Sequence, residues 1–232
     1  MGNTVEICVE SAEGAIKAWR GGTGRVEICR DRSLGGLTPE ASEIARACGE
    51  LKIPVHVLIR PRAGDFVYNP DESARMFEEI SLARSLGAAG VVLGVLNSDR
   101  TIDRERTREL VACAHGLSVT FHKAFDETPD PFQSLDTLID LKIDRVLTSG
   151  QAPTARQGAN CLGKLVRHAA GRIAIMAGGS LGLDDLPALS AAGLAEIHSG
   201  SAVEKEGRTD EALVRQLVRA WSDFVDPSTS VE

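Results

Sequence analysis

The sequence predicts a single-domain parallel (β/α)8 barrel of the TIM type, and three observations carry that expectation. Short apolar runs of strand length alternate with stretches of helical periodicity eight times within 232 residues. A doubly wound sheet also alternates, but eight units in this length point to a closed barrel. No linker-like stretch or shift in composition interrupts the pattern, so residues 1–225 read as one domain and 226–232 (DPSTSVE) as a frayed tail. Within the strands, finally, one side-chain parity is apolar, as a face packed on helices should be. The other parity is unusually polar.

Taken in order, the first strand is 4–9 (TVEICV), followed by a helix over 11–21 that opens at Ser11. The second strand is 25–29 (RVEIC). After DRSLGG a helix starts with Thr38 as N-cap and Pro39 at the first helical position, where a missing N–H costs nothing. Strand three, 54–60, places Val55, Val57 and Ile59 on one face and His56, Leu58 and Arg60 on the other. A helix from Asn69-Pro70 carries Phe77, Ile80 and Ala83 on one face and stops at Gly87. Strand four is 90–94, with a helix at about 103–114. Strand five is 117–122, and Asp130-Pro131 opens a helix with Phe132, Leu135, Leu138 and Ile139 inward. Strand six is 144–148 with a helix over 155–169, strand seven 172–176 with a helix near 183–192, and strand eight 195–198. The last helix, about 209–225, spaces Leu213, Leu217, Ala220 and Phe224 at helical intervals.

Composition narrows the function classes. A chain 43% hydrophobic and 25% charged can bury a full core and remain soluble. A net charge of −7 argues against nucleic acid or an anionic membrane as partner. No apolar run reaches membrane-spanning length, and the first strand begins so near Met1 that no signal peptide is expected. A cytoplasmic protein follows. Five scattered cysteines without a CxxC pairing predict reduced thiols rather than a disulfide framework or structural zinc.

In such a barrel the active site lies at the carboxyl ends of the strands. The sequence VEIC occurs at 5–8 and again at 26–29. Neighbouring parallel strands lie about 4.8 Å apart, so the repeat is expected to set Glu6 beside Glu27 and Cys8 beside Cys29. Two close carboxylates cannot both ionise comfortably, which suits an acid or base. Two adjacent thiols suit Cu(I), although free cysteine also simply fills core space. The same inward parity offers His56, Arg60, Thr120, His122, Thr148 and His198, with His122 best placed for proton transfer. Arg60 and Arg62, crowded with Asp65 around a proline–glycine loop, can hold an anionic group. Gly178 and Gly179 after strand seven, with Ser199 and Ser201 after strand eight, stand where barrels cradle phosphate on backbone N–H groups. Cys48, Cys113 and Cys161 read as packing. One reading is therefore an enzyme acting on a small anionic or phosphorylated metabolite, with Glu6, Glu27, His122 and Arg60 as its catalytic groups.

Several stretches together carry a resemblance: VEIC twice, GGLTP at 35–39, IPVHVLIRPRAGDF at 53–66, VTFHKAFD at 119–126, RVLTSGQ at 145–151, IMAGG at 175–179 and EIHSGSA at 196–202. In that order the chain resembles the CutC family of copper-homeostasis proteins. The resemblance implies a TIM barrel, a cytoplasmic location, a homo-oligomer (dimer or tetramer) and Cu(I) held by cysteines. It also implies cysteines after the GDF loop and after strand five. Val67, Glu127 and Thr128 stand at those places, and Lys123 replaces an arginine. Cys8 and Cys29 are then the paired thiol candidates.

Overall fold

The computed structural model describes residues 3–225. Eight parallel strands close a barrel in sequence order: β1 (Thr4–Val9), β2 (Arg25–Ile28), β3 (Val55–Leu58), β4 (Gly90–Leu93), β5 (Ser118–Phe121), β6 (Arg145–Thr148), β7 (Ala174–Ala177) and β8 (Glu196–Ser199). β8 pairs with β1 and completes the ring. The helices are α1 (Ala12–Arg20), α2 (Ala41–Glu50), α3 (Pro70–Ser85), α4 (Arg104–Cys113), α5 (Pro131–Asp140), α6 (Ala159–Ala169), α7 (Leu186–Ala191) and α8 (Glu211–Val225). The predicted architecture and element order therefore hold. A small antiparallel pair, β9 (Glu204–Lys205) with β10 (Arg208–Thr209), follows β8 and was not anticipated. The expected tail at 226–232 lies outside the described residues.

The core sits between barrel and helices. Val5, Ile7, Val26, Ile28, Val57 and their counterparts around the ring are buried against the helices, as the apolar parity requires. Ser11 caps α1 by accepting from the Gly14 N–H, and Asn69 caps α3 in a reciprocal capping box with Glu72. Thr38 does not cap α2. That helix begins at Ala41 after Glu40, whose side chain makes no capping bond. Thr38 is instead drawn between strand and helix: its hydroxyl accepts the Arg60 N–H at 2.8 Å and donates to Glu79 at 2.7 Å. α6 starts four residues later than expected, because the chain after β6 first loops around Asp126.

Two departures concern what faces the barrel interior. The VEIC repeats do not lie level: β2 is shifted by two residues, so Glu6 faces Arg25 and Cys8 faces Glu27. On β6 the inward residues are Arg145 and Leu147, whereas Thr148 shares the helix-facing parity of Val146. Thr148 donates its hydroxyl to Asp126 instead.

Candidate functional site

The barrel interior is built in two storeys. The lower one is a layer of buried charge near the amino ends of the strands. Arg25 from β2 donates to Glu6 of β1 and, at 2.7 Å, to Glu196 of β8. Arg145 from β6 also pairs with Glu196 and reaches Thr120 of β5 at 3.4 Å. Each carboxylate thus meets a guanidinium directly, which is what makes burial tolerable. His56 completes the layer. Its Nδ1 lies 3.9 Å from Glu6, and burial, with help from Arg25 and Arg145, pulls its pKa down to about 4. Neutral His56 therefore fills space. Gly90 of β4 makes that space, since a Cβ there would come within 2.6 Å of the ring.

The upper storey opens at the carboxyl face as a cavity of about 660 Å3. Its floor is formed by Cys8, Glu27, Cys29 and His198. The two sulfurs lie 3.5 Å apart, and Cys8 also contacts a Glu27 oxygen at 3.5 Å. Despite the staggered register, the thiols thus meet, because Cys29 stands two residues beyond Glu27, which faces Cys8, and so is the next side chain on the same face. One donor atom each from Cys8, Glu27 and Cys29 lie within 4.8 Å of one another, as do those of Glu6, Glu27 and His198. His198 Nδ1 donates to Glu6 at 2.7 Å.

The floor is electrostatically strained. Burial pushes Glu6 upward, but the Arg25 charge and the His198 hydrogen bond outweigh it and hold the carboxyl well below its usual range. His198 is held well above its usual pKa: burial opposes its charge, but the Cys8, Glu6 and Glu27 side chains around it win. Glu27 goes the other way, raised first by burial and then by the Glu6 charge. Cys8 is raised well above the ordinary thiol value by its contact with Cys29, by burial and by Glu27. The floor is thus an ionised Glu6–His198 pair beneath Glu27 and the two sulfurs, with the Cys8 thiol held protonated.

The far wall is His122, just past β5. Its Nδ1 accepts the Ala124 N–H at 3.2 Å. Burial and the Arg60 charge drive its pKa down to about 3. The ring is therefore neutral with its proton on Nε2. It is a hydrogen-bond donor whose lone pair is already taken, which differs from the proton-transfer role expected of it. Gly94 admits the ring, since a Cβ there would sit 2.5 Å from it.

Arg60 spends most of its guanidinium on the loops, donating to the carbonyls of Leu34, Gly36 and Gly64 at 2.7–3.0 Å while stacking on Phe66 at 5.0 Å. Arg62 and Asp65 are not brought to the cavity. They pair with each other, and Arg62 also with Glu72, so that this cluster braces its own loop. Gly179, Ser199 and Ser201 line the rim as expected. Gly178 lies beneath it, where a Cβ would strike Leu147 at 2.5 Å, and Ser199 ties the β7 loop by donating to Leu181 O. Lys123 joins the rim beside Gly179, held by Ser149 at 3.3 Å. Arg25, Arg145 and Arg32, the last a cavity-lining residue paired with Glu204, escaped the sequence reading. Arg25 shares the parity of Glu27 and Cys29, which was the available signal; Arg145 had none, because both parities of β6 are mixed.

The CutC family pattern matches residues 3–203. A family protein CutC from Porphyromonas gingivalis is 45% identical over 86% of this chain and 81% of its own length. One from Vibrio vulnificus is 40% identical over 99% of this chain and 94% of its own. Among solved structures, CutC of Streptococcus agalactiae, which is named for copper homeostasis, superposes with a TM-score of 0.81 at 33% identity, covering 87% of this chain and 99% of that one. With matches of this depth across the whole barrel and the strand ends that build the cavity, the chain belongs to the CutC family.

Proposed function

We propose that this CutC family member takes part in copper homeostasis by holding Cu(I) between Cys8 and Cys29. The observation that carries this reading is the 3.5 Å separation of two strand-end sulfurs on the floor of an accessible cavity. Thiolates are soft ligands and select a soft monovalent ion. A Glu27 oxygen within 4.8 Å of both sulfurs supplies a third donor, and Glu27 Oε2 has no protein partner. The name borne by the S. agalactiae relative points the same way. All five cysteines are free, which fits a reducing, cytoplasmic setting. The Cys8 thiol is protonated before the metal arrives, so uptake at its sulfur releases a proton and affinity rises with pH.

The test is an anaerobic Cu(I) titration against a chromophoric competing chelator, on the wild type and on Cys8→Ser and Cys29→Ser. One Cu(I) per chain, bound at least ~100-fold more weakly in either variant, is the expected result, since loss of a thiolate ligand removes about 3 kcal/mol or more. Binding indifferent to both substitutions would remove copper from this site.

A further inference from the structure

A cavity of about 660 Å3 is far larger than one metal ion needs and lies in the range of small-molecule sites. Its wall carries a second pattern, independent of the thiols. Buried polar side-chain atoms nearly always find a partner, yet Glu27 Oε2 and His122 Nε2 have none among the described residues, and Arg60 Nε, whose side chain lies beside the Tyr68 hydroxyl, makes no well-formed bond. All three residues line this cavity, from β2 and the ends of β3 and β5. Leaving such groups buried and unpaired costs free energy that a ligand bringing complementary atoms recovers.

We propose that the cavity is a binding site for a small hydroxy-carbonyl or hydroxy-carboxylate compound, its oxygen receiving N–H groups from His122 and Arg60 and its adjacent hydroxyl meeting Glu27. The chemistry of the three atoms fixes this class. Arg60 Nε can only donate. His122 Nε2 also donates, because its other nitrogen accepts the Ala124 N–H and the ring is neutral. Both therefore call for an oxygen acceptor of carbonyl or carboxylate type. Glu27, with one oxygen turned to Cys8 and the other unpartnered, offers the complementary position for a hydroxyl. Phe66 lies against both sides of this pair, 4.8 Å from the His122 ring and 5.0 Å from the Arg60 guanidinium, and provides an apolar wall for the carbon skeleton. Lys123 at the rim, 3.5 Å from Asp126, adds a cation to the lining. The ligand shares Glu27 with the proposed copper site but uses neither thiol, so Cys8→Ser and Cys29→Ser test the metal and His122→Phe tests the ligand.

Glycolate and hydroxyacetone are the probes, with acetate and ethylene glycol as controls, each titrated into the full chain and followed by NMR. Saturable binding is expected at roughly millimolar Kd, which for a five-atom fragment corresponds to about half of the best ligand efficiency. In the wild type the His122 Nε2–H resonance should shift on saturation with glycolate. His122→Phe and Glu27→Leu should each weaken binding about tenfold, the value of one hydrogen bond to a desolvated group. The wild-type resonance keeps the test open should either variant fail to fold. No saturation by either probe, or saturation that leaves the His122 resonance unmoved, would overturn the assignment. Acetate binding as well as glycolate would remove the hydroxyl from the proposed class.

Discussion

Arg25 is the residue on which the barrel interior turns. Its guanidinium neutralises Glu6 and Glu196, both of which are buried with it. Arg25→Met leaves one carboxylate with His198 alone and weakens the second, so a loss of roughly 3–5 kcal/mol is expected, measured by urea unfolding at pH 7. Titration behaviour follows from two other residues. His56 and His122 have folded pKa values of about 4 and about 3, below the unfolded value near 6.5. The unfolded chain then binds more protons, so stability rises with pH through that window and is lost as pH falls from about 6.5 towards 4, by up to about 1.4 kcal/mol per unit for each histidine. His122→Phe should flatten this acid limb, and an unchanged slope of unfolding free energy against pH would refute it. The inward glutamates, thiols and histidines were legible in the sequence because a polar residue inside an apolar run stands out. Arg25 was passed over despite sharing the parity of Glu27 and Cys29, because an arginine at the first position of a strand looks like a solvated end, and Arg145 because both parities of β6 are mixed.

At the scale of elements, hydrophobic alternation located all eight barrel strands, but it says nothing about how one strand slides along the next. The two-residue shift between β1 and β2 is set across the sheet, by the pairing of Arg25 with Glu6 and of Glu27 with Cys8. For the same reason the N-cap of α2 was misread. Thr38 is consumed by tertiary bonds to Arg60 and Glu79, and local preference cannot foresee a partner 41 residues away. Where the cap is purely local the reading holds, as at Asn69, which accepts the Glu72 N–H at 2.9 Å while Glu72 returns a bond to the Asn69 N–H at 2.9 Å. Asn69→Ala should lower stability by about 1 kcal/mol, seen as a modest drop in Tm with Cu(I) affinity unaltered.

Across the whole molecule, the barrel separates what holds it together from what it offers to a ligand. The Arg25–Glu6–Glu196–Arg145 layer is sealed, whereas the floor above it faces the cavity. Substitutions in the two storeys should therefore have opposite signatures. Arg145→Met should reduce unfolding free energy by several kcal/mol and leave ligand or Cu(I) affinity per folded molecule within about twofold. Glu27→Leu should weaken binding while keeping or raising stability, because it removes a buried carboxyl with an unmet oxygen. Parallel denaturation and titration on the two variants measure both. If both lose affinity and stability together, the storeys are not separable. Membership of the CutC family was legible because its short motifs fall at strand ends. Which of those residues would face a common cavity was not, since that needs the closed ring.

β4 gives up its own inward volume at Gly90 and Gly94 so that imidazoles from β3 and from the end of β5 can lean across it. Each glycine is thus sterically tied to a histidine on a neighbouring strand, and it is not free to gain a side chain while that ring is in place. Gly94→Ala should be severely damaging by itself and substantially rescued by a smaller residue at 122. Over evolutionary time such coupling appears as covariation: a side chain gained at position 94 should be accompanied by loss of the ring at 122, whereas position 90 is also closed by the Ser118 carbonyl, 2.7 Å from where a Cβ would sit.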